Sequence, residues 1–270
     1  MGLRVNTNIA SMTAQRNLGS ITSRLQGNFA RLSSGLRIAT ASDDAAGLGI
    51  SERMRSQIRS LAVAGRNAQD GVSLVQTAEG AMQEISNNLS RMRELAIQGA
   101  NGTLTTADRA TLDTEYQELI SEIDRIATQT TFNGVSLLNS TSTVGIQVGT
   151  QANETITVTF ADVTAATLSL TGDVTTASNA SGELATLDAA IDSVTTARGQ
   201  MGATQNRMQS AIASIANARE NLAAAESRIR DVDVAHETAD LSRNTILQQA
   251  ATAILAQANV QPQLALTLLS

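Results

Sequence analysis

The stretch "LATLDAAIDSVTTARGQMGATQNRMQSAIASIANARENLAAAESRIR" (184–230) places an apolar residue at every seventh position without a miss. Leu187, Val194, Met201, Met208, Ile215, Leu222 and Ile229 form that row, and Leu184, Ile191 and Ile212 supply part of a companion row. An α-helix closes a turn in about 3.6 residues, so a strict seven-residue repeat keeps one stripe on a partner only if the rods wrap around each other. No proline interrupts the run, and "NARENLAAAESRIRD" (217–231) is rich in good helix formers. The spacing predicts one helix over 183–230, roughly 70 Å long at about 1.5 Å per residue.

A matching row lies in the first half: Leu61, Ala68, Val75, Met82, Leu89 and Ala96, joined by Ile85 and Met92. It begins near "SDDAAGL", where Ser42 or Asp43 can cap and Asp44 favours the first turn. "GANGT" (99–103) stops it. Leu112, Tyr116, Leu119, Ile123 and Ile126 then step by fours and threes, a third rod. Between the third rod and the last the period drops to two. Val144, Ile146 and Val148, then Ile156, Val158 and Phe160, alternate around a polar turn near Ala152 and Asn153, which reads as a β-hairpin. "TGDVTTASNASGE" (171–183) reads as a flexible link into the last rod.

The two ends share a character. Leu18, Ile21, Leu25, Phe29, Leu32 and Leu36 recur with a mean step of 3.6, an amphipathic helix. At the far end Ile246, Ile254, Leu255, Val260, Leu264, Leu268 and Leu269 spread around a helix that is apolar on nearly every side, with no charge beyond Arg243. Burying these aliphatics inside one chain returns less than ordering the backbone costs, because an N-terminal partner covers a single face. Ends of this kind are expected to be disordered in a free subunit and helical once other copies enclose them. The competing possibility is an antiparallel hairpin of the two ends inside a monomeric bundle, since such patterns specify oligomer state poorly.

The fold class is therefore mainly α: long antiparallel coiled-coil rods, terminal helices paired, and a small β-hairpin. The expected domains are a discontinuous terminal domain, 1–43 with 233–270, and a rod domain, 44–232, carrying the hairpin at about 140–172. Composition agrees with thin helical layers, since there is no Trp, one Tyr and three Phe in 270 residues. All basic residues are Arg, and the net charge of -6 is spread without long runs. Neither nucleic acid nor insertion into a membrane is expected. The start has Arg4 but no following apolar run, so it does not read as a secretory signal.

The chemistry of catalysis is sparse. Cys is absent, so there is no disulfide framework, thiolate nucleophile or Cys metal site. His236 is the single histidine, in "HETAD"; a zinc-protease helix needs a second His where Asp240 stands, although Glu237 is present. "GLGI" (47–50) is too short for a phosphate-binding fingerprint. No enzyme activity, metal or cofactor is expected. Gly65 and Gly71 read as close-packing points between rods, and Ala64, Ala68, Gly71 and Ala78 as small residues that permit axial slides between subunits.

"LRVNTNIASM" (3–12), "RLSSGLRIATASDDAAGLGIS" (31–51), "QTTFNGVSLLN" (129–139) and "ILQQAATAILAQANVQPQLALTLLS" (246–270), in that order, resemble bacterial flagellin over all but the middle of the chain. The resemblance implies terminal helices that line the core of a hollow filament, with the rods and hairpin in the next shell. With only about fifty residues between "FNG" and the last rod, it implies a short form without large outer domains. It further implies a secreted subunit that polymerises with itself, exported through the flagellar type III apparatus. A secretion chaperone would cover the C-terminal segment; a filament cap and hook-associated proteins would be further partners. Recognition by the flagellin-sensing Toll-like receptor would use Arg91, Leu95 and Glu115, with Ser90 where recognised flagellins usually have Gln. The alternatives are a hook–filament junction protein, an enzyme carried on a filament scaffold, and a monomeric coiled-coil adaptor.

Overall fold

A computed structural model of the chain describes residues 7–267, with side chains described through residue 261. In chain order the elements are α1 (Ile9–Ser34), α2 (Ala45–Gly99), α3 (Thr106–Gln129), β1 (Thr131–Phe132), β2 (Val135–Ser136), β3 (Ser142–Gln147), β4 (Thr155–Phe160), α4 (Ala177–Arg230) and α5 (Val234–Thr267). They fall into two compact units, Met1–Ser56 with Asn221–Ser270, and Gln57–Glu220.

Local chemistry sets the helix ends. Asn8 caps α1 by accepting the Ser11 N–H at 3.0 Å, and α1 stops at Gly35, whose φ of 71° suits a residue without Cβ. Neither Ser42 nor Asp43 caps α2, as the sequence suggested. Asp44 does, taking the Gly47 N–H at 2.9 Å, while Asp43 closes the preceding turn on the Ala39 and Thr40 N–H groups. Asp44 stands at the right spacing, three residues before the amide it serves. Thr105 and Asp108 form a reciprocal capping box on α3.

In the unit Gln57–Glu220 the heptad rows converge as expected. Val75, Met82, Ile85, Leu89, Met92 and Ala96 of α2 are all 0% exposed, as are Leu187 and Met208 of α4. Tyr116, Ile123 and Ala127 of α3 join the same cluster. The rods α2 and α4 run antiparallel: Arg93 pairs with Asp188 at 2.7 Å, and Gly71 lies against Met208. A Cβ on Gly71 would sit 3.0 Å from Met208 Sδ and 3.1 Å from Ile146 Cγ1, so this is indeed a close-packing point. The same observation corrects the sliding role given to the small residues. Ala64, Ala68, Gly71 and Ala78 are buried inside the subunit, where they set the approach of its own elements.

The hairpin forms as read, with Val144 opposite Val158 and Ile146 opposite Ile156, and with Ile156, Val158 and Phe160 buried. Asn153 supplies the left-handed residue of its turn, at φ 71°. A second, shorter hairpin pairs β1 with β2 across Asn133 and Gly134, both at positive φ. That Asn-Gly dipeptide is a strong two-residue turn signal.

Residues 161–176 form an ordered segment, and the part of the expected flexible link (171–183) that lies outside α4 belongs to it. Val163, Ala165, Leu168, Leu170 and Val174 are buried against the rods. Two α3 carboxylates hold the segment by its backbone: Asp124 accepts the Ala165 N–H at 2.7 Å, and Asp113 accepts the Val174 N–H at 3.0 Å. Asp173 binds Thr175 and Asn179, and α4 starts at Ala177, earlier than residue 183. Thr164 and Thr175 here donate to the Asp162 and Asp173 carboxylates.

Replacing Ala68 with Leu should overpack this core and lower the unfolding free energy by about 1–3 kcal/mol, measured by denaturant titration. Acid should also destabilise the fold. Hydrogen bonds from Thr175 and Asn179 hold the Asp173 carboxyl below its ordinary value, and those from Thr105 do the same for Asp108. A depressed folded-state value contributes stability above the ordinary carboxylate range, and that contribution is lost as pH falls. The thermal midpoint should therefore drop as pH is lowered from about 4 toward 2.

Candidate assembly surface

The unit Met1–Ser56 with Asn221–Ser270 is built on α1 and α5, which pair antiparallel. Ser11, Ala14, Leu18, Ile21, Leu25, Asn28 and Leu32 face the seam from α1, stepping by threes and fours. Glu237, Leu241, Asn244, Gln248, Ala251, Leu255 and Ala258 do so from α5, with the same steps. Of these, only Ser11, Ala14, Leu25, Asn28, Glu237, Ala251 and Ala258 are fully buried. Apart from Leu25, the buried seam positions are thus small or polar. Asn8 Nδ2 donates to the Ala258 carbonyl at 2.7 Å, Ser11 Oγ to Asn259 Oδ1 at 2.7 Å, and Asn244 Nδ2 to Asn28 Oδ1 at 3.1 Å. Arg31 donates twice to Glu237 Oε1, at 2.9 and 2.7 Å, and this bond holds its guanidinium more firmly protonated.

Other large apolar side chains point away from the seam. Ile246 is 66% exposed, Ile254 61% and Phe29 58%; Ile9, Met12, Val234, Leu247 and Val260 are also exposed. The amphipathic series read from the N-terminal segment therefore splits. Leu18, Ile21, Leu25 and Leu32 lie on the seam, Phe29 lies outside it, and Leu36 lies beyond the end of α1. There Leu36 forms an antiparallel bridge with Asp231. From the C-terminal series Leu255 lies on the seam, while Ile246, Ile254 and Val260 face outward. The side chains of Leu264, Leu268 and Leu269 lie outside the described residues. The expected disorder of the ends is not the conformation described here: α1 and α5 are paired helices, and the shortfall in burial takes the form of uncovered apolar area.

The residues expected at a receptor contact also separate. Arg91 bonds Glu115 at 2.8 Å and Glu94 at 2.9 Å on the surface of α2 and α3. Leu95 is 0% exposed, inside the rod core, so as a direct surface contact it is withdrawn. Its heptad companions Met92 and Ala96 carried that signal in the sequence. His236 is largely exposed on α5, 3.7 Å from Asp240. Among the described residues no cluster of three or more metal-ligating side chains forms, and no helix is long and apolar enough to cross a membrane. Glu237, considered in the sequence only as a possible base, is instead the buried partner of Arg31.

A rod unit with its own buried core, and a helix pair with several large apolar side chains uncovered, is the construction of a polymer subunit. Comparison with known proteins gives the family. The profile for the bacterial flagellin N-terminal helical region matches residues 5–143, and that for the C-terminal helical region matches 184–269. A flagellin of Halalkalibacterium halodurans is 48% identical over 98% of this chain and 99% of its own length. The flagellar filament 30.7 kDa core protein of Treponema maltophilum is 44% identical, with the same shares covered. A crystal structure of Bacillus cereus flagellin superposes with a TM-score of 0.52 at 36% identity, over 56% of this chain and 88% of that one. The chain belongs to the bacterial flagellin family, whose members are structural filament proteins, not enzymes.

Truncating Ile246 and Ile254 to Ala should change subunit unfolding by no more than about 0.5 kcal/mol per site, because both are exposed. Each aliphatic covered on assembly contributes about 1.5–3 kcal/mol. The double variant should therefore need at least about tenfold more protein to polymerise, measured by sedimentation of the polymer.

Proposed function

We propose that this chain is the repeating subunit of an extracellular flagellar filament that serves swimming. The observation that carries the proposal is the outward display of Phe29, Ile246, Ile254 and Val260 from the paired helices α1 and α5. Copies of the chain are the natural cover, since the same faces recur on every subunit and a helical polymer encloses them all. The names of the relatives, flagellin and flagellar filament core protein, support the same reading.

Export through the flagellar type III apparatus belongs to this proposal. So do a secretion chaperone on the C-terminal segment, a cap that receives subunits at the growing tip, and hook-associated proteins below. Each of these partners meets the apolar helices at a stage when no neighbouring subunit covers them. For the host Toll-like receptor, the geometry supports a polar contact at the Arg91–Glu115 pair, with Leu95 holding the rod face from within.

Electron microscopy of the purified protein after salting-out tests the central claim. Long, smooth tubes are expected, and protein that stays monomeric under all such conditions would remove it. Arg91→Ala should lower receptor signalling by about tenfold or more in a reporter-cell assay, in keeping with the loss of one charged contact at an interface.

A further inference from the structure

Hydrophobicity alone does not choose how α1 and α5 meet. The far helix is apolar on nearly every side, so a rotation, or a slip of one turn, would bring equally greasy faces together. The hydrogen-bonded pairs are less forgiving. Arg31 with Glu237, Asn28 with Asn244, Ser11 with Asn259, and Asn8 with the Ala258 carbonyl all satisfy one antiparallel register. Asn28 is 2% exposed, Ser11 8% and Glu237 7%. Any other register leaves these buried groups without partners, the costly outcome for a polar atom out of water. A single buried Asn in a coiled-coil seam selects register and orientation at some expense of stability, and here buried Asn28 meets half-buried Asn244.

We infer that the Asn28–Asn244 pair, supported by Arg31–Glu237 and Ser11–Asn259, is the register key of terminal-helix pairing. This rests on the filament reading and deepens it. The key decides which faces of α1 and α5 meet, and thereby which faces, those of Phe29, Ile246 and Ile254, are handed to the next subunit. In a polymer one misregistered subunit presents the wrong surface to each of its neighbours, so the polar pairs protect lattice order rather than add cohesion.

Seeded polymerisation and cryo-electron microscopy of variants decide it. Asn28→Leu leaves the Asn244 amide facing a leucine and should raise the critical concentration for elongation about tenfold. Asn28→Asp keeps an acceptor for Asn244 Nδ2 and should stay within about threefold of wild type. The double variant Asn28→Leu/Asn244→Leu, its seam now wholly apolar, should polymerise as readily as wild type but without a single helical symmetry. Double-variant polymers with the wild-type lattice would overturn the inference. The ion pair gives a test that does not depend on the leucine variants folding. Arg31→Glu and Glu237→Arg should each disorder the polymer, and together they should restore it. Failure of that restoration also counts against a register key. Wild-type chain that never polymerises would instead sink the filament reading, and this inference with it.

Discussion

The width of the α1–α5 seam is the constraint on which the terminal unit depends. Ala14, Ala251, Ala258, Ser11 and Asn28 occupy most of its buried positions, and Leu25 and Glu237 the others. Side chains of that size let two backbones come close at those layers. Leu18, Ile21, Leu32, Leu241 and Leu255 line the seam only half-buried, and Phe29, Ile246 and Ile254 lie outside it. The pair therefore leaves apolar area to offer a neighbour.

The rod unit obeys the opposite rule. Its heptad rows are filled with Leu, Ile, Val, Met and Ala, and the layer closes over Tyr116 and Phe160 while leaving Val63, Ile97 and Val135 exposed. Burial pushes the ionisation of the Tyr116 hydroxyl to higher pH, so it stays a donor to Glu183 at 3.2 Å. The charged pairs along the rods, Arg93–Asp188 and Arg91–Glu115, sit at the exposed rim, where ion pairs contribute little to stability. They help align the helices, while the apolar layer holds them. Stability and association are thus assigned to different parts of one chain.

How far the sequence reaches follows from the same division. Where one face of an element is buried inside the chain, periodicity reports it, and so Val75 through Ala96, Leu187 through Met208, and the Val144–Val158 ladder were all legible. Where a residue's partner lies at a distance in sequence and is polar, periodicity is silent. Nothing local marks Glu237 as the mate of Arg31, or Asp113 and Asp124 as the anchors of residues 161–176. Residues 171–183 read as a link because Thr, Ser and Gly are frequent there, yet Val174, like Val163, Leu168 and Leu170 before it, is buried. Phe29 fits a 3.6-residue mean step only because an average hides the alternation of threes and fours. Strict heptad bookkeeping places Asn28, not Phe29, on the seam.

The turn of the longer hairpin has a practical consequence. Residues 150–153 are exposed, while the ladder on either side is closed by Val148 and Glu154, whose N–H and carbonyl meet at 2.9 Å. Foreign peptide grafted between Thr150 and Asn153 would thus lengthen a loop tip without touching a layer of the core, and loop tips tolerate such insertions best. One epitope per subunit would then be carried at the fixed pitch of the assembly, making the chain a scaffold for multivalent display.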